Sequence, residues 1–223
     1  MRAGRAPAGP RRGGRPSREA SARLGDQILD AATELFLTQG YGSTSIESVA
    51  RRVGIAKRTF YHRFPDKAAL FAAVVHRIIE RLRPPAGVPL LEGADLRAKL
   101  ERLAALMLRA SLAPEAVALH RLMVSQSAEF PELARVMARE GAAEEAVRLI
   151  AGLLQREAGA GRLGIDDPVF AAQAFMQMVI TLPQRRALGM GTPMSTEELE
   201  AWPRRIVQFF LYGCLGRPPD HPG

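Results

Sequence analysis

The stretch TSIESVARRVGIAKRTFYHRFPDK, residues 44–67, decides how the chain is read. Ile46, Val49, Ala50 and Val53 recur at spacings of three, one and three, which puts them on one face of a helix. Thr44 followed by Glu47 fits a capping box, in which a hydroxyl accepts from an orphan amide and a carboxylate reaches back. Gly54 then ends the helix, because glycine takes the left-handed conformation of a C-cap at no steric cost. A second short helix is expected over residues 56–64, with Phe60 and Phe64 four apart and able to dock on the first. Lys57, Arg58, Thr59, Tyr61, His62 and Arg63 are left to point elsewhere.

A short helix with an apolar anchor and a cationic, hydrogen-bonding outer face suits the major groove of double-stranded DNA. That groove admits one α-helix, and Lys or Arg can donate to the guanine acceptors in it. Thr and Tyr hydroxyls can bond phosphates and set the register. An ordinary helical hairpin with a solvated basic face would carry the same pattern.

A longer series of residues narrows the choice: Gly40, Tyr41, Thr44, Ser45, Ile46, Val49, Ala50, Val53, Gly54, Ile55, Thr59, Phe60, Tyr61, Phe64, Asp66, Lys67 and Leu70. In order and spacing this series resembles the N-terminal DNA-binding domain of the tetracycline-repressor (TetR) family of bacterial transcriptional regulators, over about residues 23–83. The resemblance implies that Lys57, Arg58 and Thr59 face base edges or the groove. It further implies that Tyr61, His62 and Lys67 clamp phosphates, with Thr44 as a further contact. Two positions depart from the family's habit: Ala56 stands where Ser is common and cannot cap the following helix, and Ala69 stands where Glu is common.

Composition agrees with this reading. The hydrophobic share of 47% is ample for a core, and no run approaches the roughly 18 apolar residues of a membrane span. The lone cysteine, Cys214, allows no intramolecular disulfide, which fits a reducing cytoplasm. The first residues lack the continuous apolar core of a signal peptide. The net charge of +8 is unevenly placed: residues 1–23 hold seven Arg and one Glu, whereas residues 84–223 hold fifteen basic and sixteen acidic residues. Positive charge gathered at one end points to a polyanion partner at that end.

Taken in order, residues 1–22 are an Arg-, Gly- and Pro-rich arm that cannot bury enough surface to order itself. Either it is solvated, or Arg15 lies along a minor groove. A first helix is expected over residues 22–39, with Leu24, Ile28, Ala31, Leu35 and Thr38 as its stripe, widened by Leu29, Ala32 and Phe36. Another starts at an Asp66 cap and carries Leu70, Phe71, Val74, Val75, Ile78, Ile79 and Leu82. Pro84, Pro85, Gly87 and Pro89 break the pattern and mark a domain boundary.

Everything beyond reads as helix. Pro114 and Pro131 open helices; Gly141 is a candidate kink; Asp166, Asp167 and Pro168 open another, interrupted near Pro183; Ser195 and Glu198 form a second capping pattern before a stretch bent or restarted at Pro203. The expected fold is all-α, with about nine helices: a helix-turn-helix domain over residues 23–83, a larger helical ligand-binding and dimerisation domain over 84–216, and a loose tail over 217–223.

The resemblance also implies an inducer pocket and a homodimer in the C-terminal half. Met107, His120, Met123, Met137, Phe170, Gln173, Met176 and Gln177 are the candidate pocket lining, since methionines adapt to varied apolar ligands and a few polar groups orient one. The same Met and Phe residues at helical spacing would serve equally as core. Phe175, Val179, Leu182, Ile206, Phe209 and Phe210 are the candidate dimer face.

Enzymatic readings fail on inventory: the histidines at 62, 76, 120 and 221 show no metal-ligand spacing, and neither a phosphate loop nor a nucleophile elbow is present. No cofactor or metal is expected. The chain therefore reads as a cytoplasmic, dimeric regulator of transcription, a repressor released from a palindromic operator by a small apolar inducer. An activator, or a regulator gated by a protein partner, is the alternative. A protein-interaction module with the same fold is a further class, and loss of Tyr61 or Lys67 would have favoured it. Charge confined to one end predicts that DNA affinity falls steeply with salt through counterion release. A binding titration that stays flat from low to high salt contradicts the nucleic-acid reading.

Overall fold

The computed structural model describes residues 18–84 and 95–213. The expectations for most of the N-terminal arm, most of the boundary loop, Cys214 and the tail lie outside the described residues. Within the described residues the chain is helical, with no strand: α1 (Arg18–Gln39), α2 (Ile46–Val53), α3 (Lys57–Tyr61), α4 (Lys67–Leu82), α5 (Leu96–Leu112), α6 (Pro114–Gln126), α7 (Pro131–Glu140), α8 (Ala143–Gly159), α9 (Pro168–Ala187) and α10 (Thr196–Tyr212). Among the described residues, no single helix is long and apolar enough to cross a membrane.

Helix boundaries follow local chemistry. Gly54 ends α2 in the left-handed region, at φ 75° and ψ 32°, and its amide returns to the Ala50 and Arg51 carbonyls. Asp66 caps α4 by accepting from the Ala69 amide at 2.7 Å, and Asp167 caps α9 by accepting from Val169 and Phe170. Ser195 and Glu198 form the expected capping box of α10.

Several expectations are corrected. The capping box of α2 is built by Ser45 and Ser48, each side chain bonding the other's amide at 3.0 Å, not by Thr44 and Glu47. The helix expected over residues 56–64 is the five-residue α3, followed by a turn. The segment expected to run on from Pro131 with a kink at Gly141 is two helices, α7 and α8, which raises the number among the described residues from about nine to ten. A Cβ at Gly141 would run into the Met137 carbonyl, so the close turn needs glycine there. By contrast, α9 passes through Pro183 and α10 through Pro203 without interruption; both prolines are buried and trade a backbone bond for packing.

Two buried clusters organise the packing. The first joins Ile28, Ala32 and Phe36 of α1, Val49 of α2, Phe60 of α3, Phe71 and Val75 of α4, Leu119 and Leu122 of α6, and Leu133 and Val136 of α7. The second joins Leu100 and Leu103 of α5, Ile150 and Leu154 of α8, Phe175 and Val179 of α9, and Val207 of α10. Helices α6 and α7 thus share a core with the four N-terminal helices. Polar ties reinforce that union. Arg77 of α4 pairs with Asp30 at 2.9 Å and donates to Thr33 Oγ1 and the Asp26 carbonyl on α1. Arg81 reaches Asp30 and also Glu115 of α6, and Arg83 pairs with Glu145 of α8 at 2.7 Å.

Phe60 is the only residue of α3 that is fully buried, packed 5.7 Å from the Phe64 ring centroid. Phe60→Ala should therefore destabilise the protein by about 3–5 kcal/mol through lost transfer energy and the cavity left behind. Urea denaturation checks this, and a loss below about 1 kcal/mol contradicts the anchoring role.

Candidate nucleic-acid interface

Around Phe60 the other side chains of α3 have nowhere to go but outward. Lys57, Arg58, Thr59 and Tyr61 are exposed, and so is the C-cap His62. Tyr61 keeps its ring edge-on to Phe60 at 6.0 Å, which holds the phenol at the surface. Ala56, as expected, offers no side-chain cap. Lys57 forms an ion pair with Glu47 of α2, two exposed groups that bridge the two helices of the turn. Arg63 turns away from this face and bonds Ser21 Oγ at 2.7 Å on α1.

Lys67 lies beside this face at the start of α4, half-buried. Its ammonium sits 4.2 Å from the Tyr41 ring centroid and 5.8 Å from that of Phe130, and it donates to the Gly42 carbonyl at 3.3 Å. Burial holds its pKa below the ordinary lysine value, opposed by the Glu132 carboxylate. Tyr41 is itself buried, and burial first, then the charge of the Glu132 carboxylate and the hydrogen bond to it, raise its phenol pKa far above the usual value.

Thr44 is a correction. Its side chain is 1% exposed and its hydroxyl donates to the Gly40 carbonyl at 2.8 Å, closing the turn before α2. A threonine so enclosed has no free hydroxyl to offer a phosphate. Ser45 and Ser48 stand at the helix start in its place.

The surroundings of Lys67 include residues that the sequence did not single out. Gln126, at the end of α6, accepts through Oε1 from the Tyr41 amide at 2.7 Å and the Gly42 amide at 3.2 Å. Phe130 meets Tyr41 edge-to-face at 5.2 Å and closes over Gly42. Gly40 has φ 88°, and a Cβ there would collide with the Gln126 amide. The turn between α1 and α2 is therefore clamped by the α6–α7 corner. These partners are more than 80 residues apart in sequence, and no local spacing reveals them.

The eight candidate pocket residues do not line one cavity. Met123 and Met137 pack on the first core and Met107 on the second. His120 is half-buried on α6. Phe170 is 67% exposed, and Gln173 and Gln177 share its outward side of α9. Gln173, Met176 and Gln177 line an open groove of about 550 Å³ against Val147 and Arg148 of α8.

The candidate dimer face divides in the same way. Phe175 and Val179 are fully buried, with Phe175 packed 4.9 Å from Phe210, so they belong to the core and not to an interface. Leu182 and Phe209 are exposed, and Ile206 is half-buried beside them in a second open groove between α9 and α10. The reason is helical phase: Ala172, Phe175, Val179 and Pro183 follow the inward stripe of α9, which leaves Phe170, Gln173, Gln177 and Thr181 on the opposite side. Among the described residues, no group of three or more His, Cys, Asp or Glu side chains is placed to hold a metal ion.

This arrangement, a helix-turn-helix whose short second helix shows only cationic and hydroxyl groups outward, is that of a DNA-binding helical regulator. Comparisons with known proteins agree. The model of bacterial regulatory proteins of the tetR family matches residues 28–74, and that of the AefR-like transcriptional repressor C-terminal domain matches residues 98–213. The chain belongs to the TetR family of transcriptional regulators. A solved structure from Mesorhizobium loti MAFF303099, described as a TetR-family transcriptional regulator, is 30% identical; the match covers 86% of this chain and 96% of that one, with a TM-score of 0.68. The flavonoid-responsive regulator FrrA is 32% identical over 85% of this chain and 96% of that one, with a TM-score of 0.69. The transcriptional activator FasR of Mycolicibacterium smegmatis is 38% identical over 74 residues, which is 33% of this chain and 32% of that protein. The match to such curated relatives thus spans about a third of their length.

The Gln126 clamp carries a prediction. Gln126→Ala leaves the Tyr41 and Gly42 amides without their acceptor and should destabilise the protein by about 1–2 kcal/mol. Exchange of those two amides should quicken in hydrogen-exchange measurements. An unchanged denaturation midpoint with unchanged exchange would show that the clamp does not hold the turn.

Proposed function

We propose that this protein is a cytoplasmic, sequence-specific DNA-binding repressor, not an enzyme, and that a small apolar inducer releases it from its operator. The observation that carries this reading is the outward face of α3: four exposed polar or cationic residues, with the C-cap His62 beside them, around one buried phenylalanine. Residues 23–83 are the DNA-binding unit of this reading. Lys57, Arg58 and Thr59 meet the groove, and Tyr61, His62 and Lys67 meet phosphates. Residues 84–216 carry the inducer and the dimer contacts. A repressor's C-terminal domain as the matching family model supports the sign of regulation. The activator FasR, matched over 33% of this chain, favours the opposite sign more weakly.

The remaining parts of the proposal rest on packing. The outward faces of α9 and α10, with Phe170, Leu182, Phe209 and Tyr212 exposed, are suited to pairing with a second copy of the chain. Two copies related by a two-fold axis would read an inverted repeat in major grooves about 34–36 Å apart or a multiple of it. An inducer bound among α5–α9 can bias DNA affinity by moving the α6–α7 corner, because that corner holds the Tyr41–Gly42 turn against Lys67. Flavonoid responsiveness in a relative 32% identical makes planar aromatic compounds the first inducers to try.

Duplexes selected from a random library give the operator needed for the test. Tyr61→Phe and Lys67→Ala should weaken operator and scrambled duplex alike, and Lys67→Ala should also flatten the salt dependence. Arg58→Ala should instead relax preference at particular bases by about 1–3 kcal/mol. If Arg58→Ala keeps the operator-to-scrambled ratio of the parent while circular dichroism shows an intact fold, the assigned recognition face is wrong.

A further inference from the structure

An acidic side chain stands beside the cationic face of α3. Glu47 lies in the first turn of α2 and its carboxylate pairs with the ammonium of Lys57, the first residue of α3. Both side chains are about half exposed, at 43% and 58%. An exposed pair of this kind contributes little to stability, because solvent screens it and two flexible side chains must be ordered. Its placement gives it a different use.

The helix starts explain why Glu47 is available. Ser45 and Ser48 cap α2 between themselves, so Glu47 is not needed as the capping carboxylate. At the start of α3, Ala56 has no side chain able to cap. Helix α3 has five residues and a single buried one, Phe60. Phe64 and the Arg63–Ser21 bond fasten the turn that follows it, so the start of α3, uncapped at Ala56 and flanked only by Ile55, is its less restrained end. The Glu47–Lys57 bridge adds a point of attachment at that end, on the side facing α2. The Lys57 hydrogen bond also holds the Glu47 carboxyl below the usual carboxylate range, so the pair stays charged across the neutral range.

We propose that Glu47 is a specificity-determining residue: it fixes the start of α3 on α2 and aims the Lys57 ammonium at a guanine edge in the major groove. This rests on the DNA-binding reading above. A lysine ammonium has three donors and no acceptor. With one donor engaged by Glu47, the others point along a fixed direction and suit the paired N7 and O6 acceptors of guanine. A free lysine would instead settle on any phosphate within reach, which adds affinity without sequence information. The carboxylate repels phosphates and so disfavours that outcome. Glu47 thus lowers total affinity and raises discrimination.

The test uses the full-length chain and three variants, Glu47→Gln, Glu47→Asp and Lys57→Met, each selected against a randomised duplex library and then titrated on its parent-selected operator and on a scrambled duplex. The parent should enrich a guanine in each half-site that Lys57→Met no longer enriches. Glu47→Gln should lose about tenfold in preference for that guanine. It should also bind scrambled duplex several-fold more tightly, with a salt slope steeper by about one ion, since the freed lysine now neutralises a phosphate. Glu47→Asp keeps the charge but falls short of Lys57, so it should lose the guanine preference with little gain on scrambled duplex. Circular dichroism confirms folding of each. If the parent enriches a sequence and both Glu47 variants retain the same guanine preference, the positioning role is overturned while DNA binding stands. If the parent enriches no sequence, the DNA-binding reading falls and the proposal with it.

Discussion

The burial of Phe60 is the constraint on which the rest depends. Helix α3 is too short to be stable alone, since helix formation needs far more than five residues to repay its nucleation. It exists because one aromatic ring enters a core already built from Ile28, Phe36, Val49, Phe71 and Val75. Once that ring is inside, helical geometry forces Lys57, Arg58, Thr59 and Tyr61 outward together. The cationic face is a consequence of the anchor rather than a separate feature.

The same core explains how a distant event can reach that face. Leu119 and Leu122 of α6 and Leu133 and Val136 of α7 belong to the cluster that holds Phe60. The Gln126 side chain then bonds the turn next to Lys67, and Phe130 meets edge-to-face the ring that Lys67 covers. A shift of the α6–α7 corner therefore displaces the support of a proposed phosphate contact without any long-range signal through the bundle. Close-packed protein interiors transmit such displacements because side chains cannot yield independently.

Much of the fold was legible because it is local. The apolar stripe of α1, the glycine stop of α2, the Asp66, Asp167 and Ser195 starts and the all-helical C-terminal half follow from spacing and capping chemistry. What misled is equally specific. Thr44 and Ser45 are both good caps, and only the approach of Gly40 to the Thr44 hydroxyl decides between them. Pro183 and Pro203 look like breaks, yet burial against neighbouring helices keeps both helices continuous. Phe170 and Phe175 are alike in a list of aromatic residues; a five-residue separation puts one at the surface and the other at 0% exposure, which depends on the phase of α9 against α5 and α8. The Gln126 clamp has no local signature at all, since its partners lie 84 and 85 residues away.

Hydrogen exchange of the amides, with and without a selected operator duplex, tests the central claim most directly. The account predicts that DNA slows exchange in α3, in the turn between α2 and α3 and at the start of α4, with a smaller effect at Tyr41 and Gly42 where Gln126 holds the turn. Protection confined to the outward faces of α9 and α10, with α3 unaffected, would contradict it.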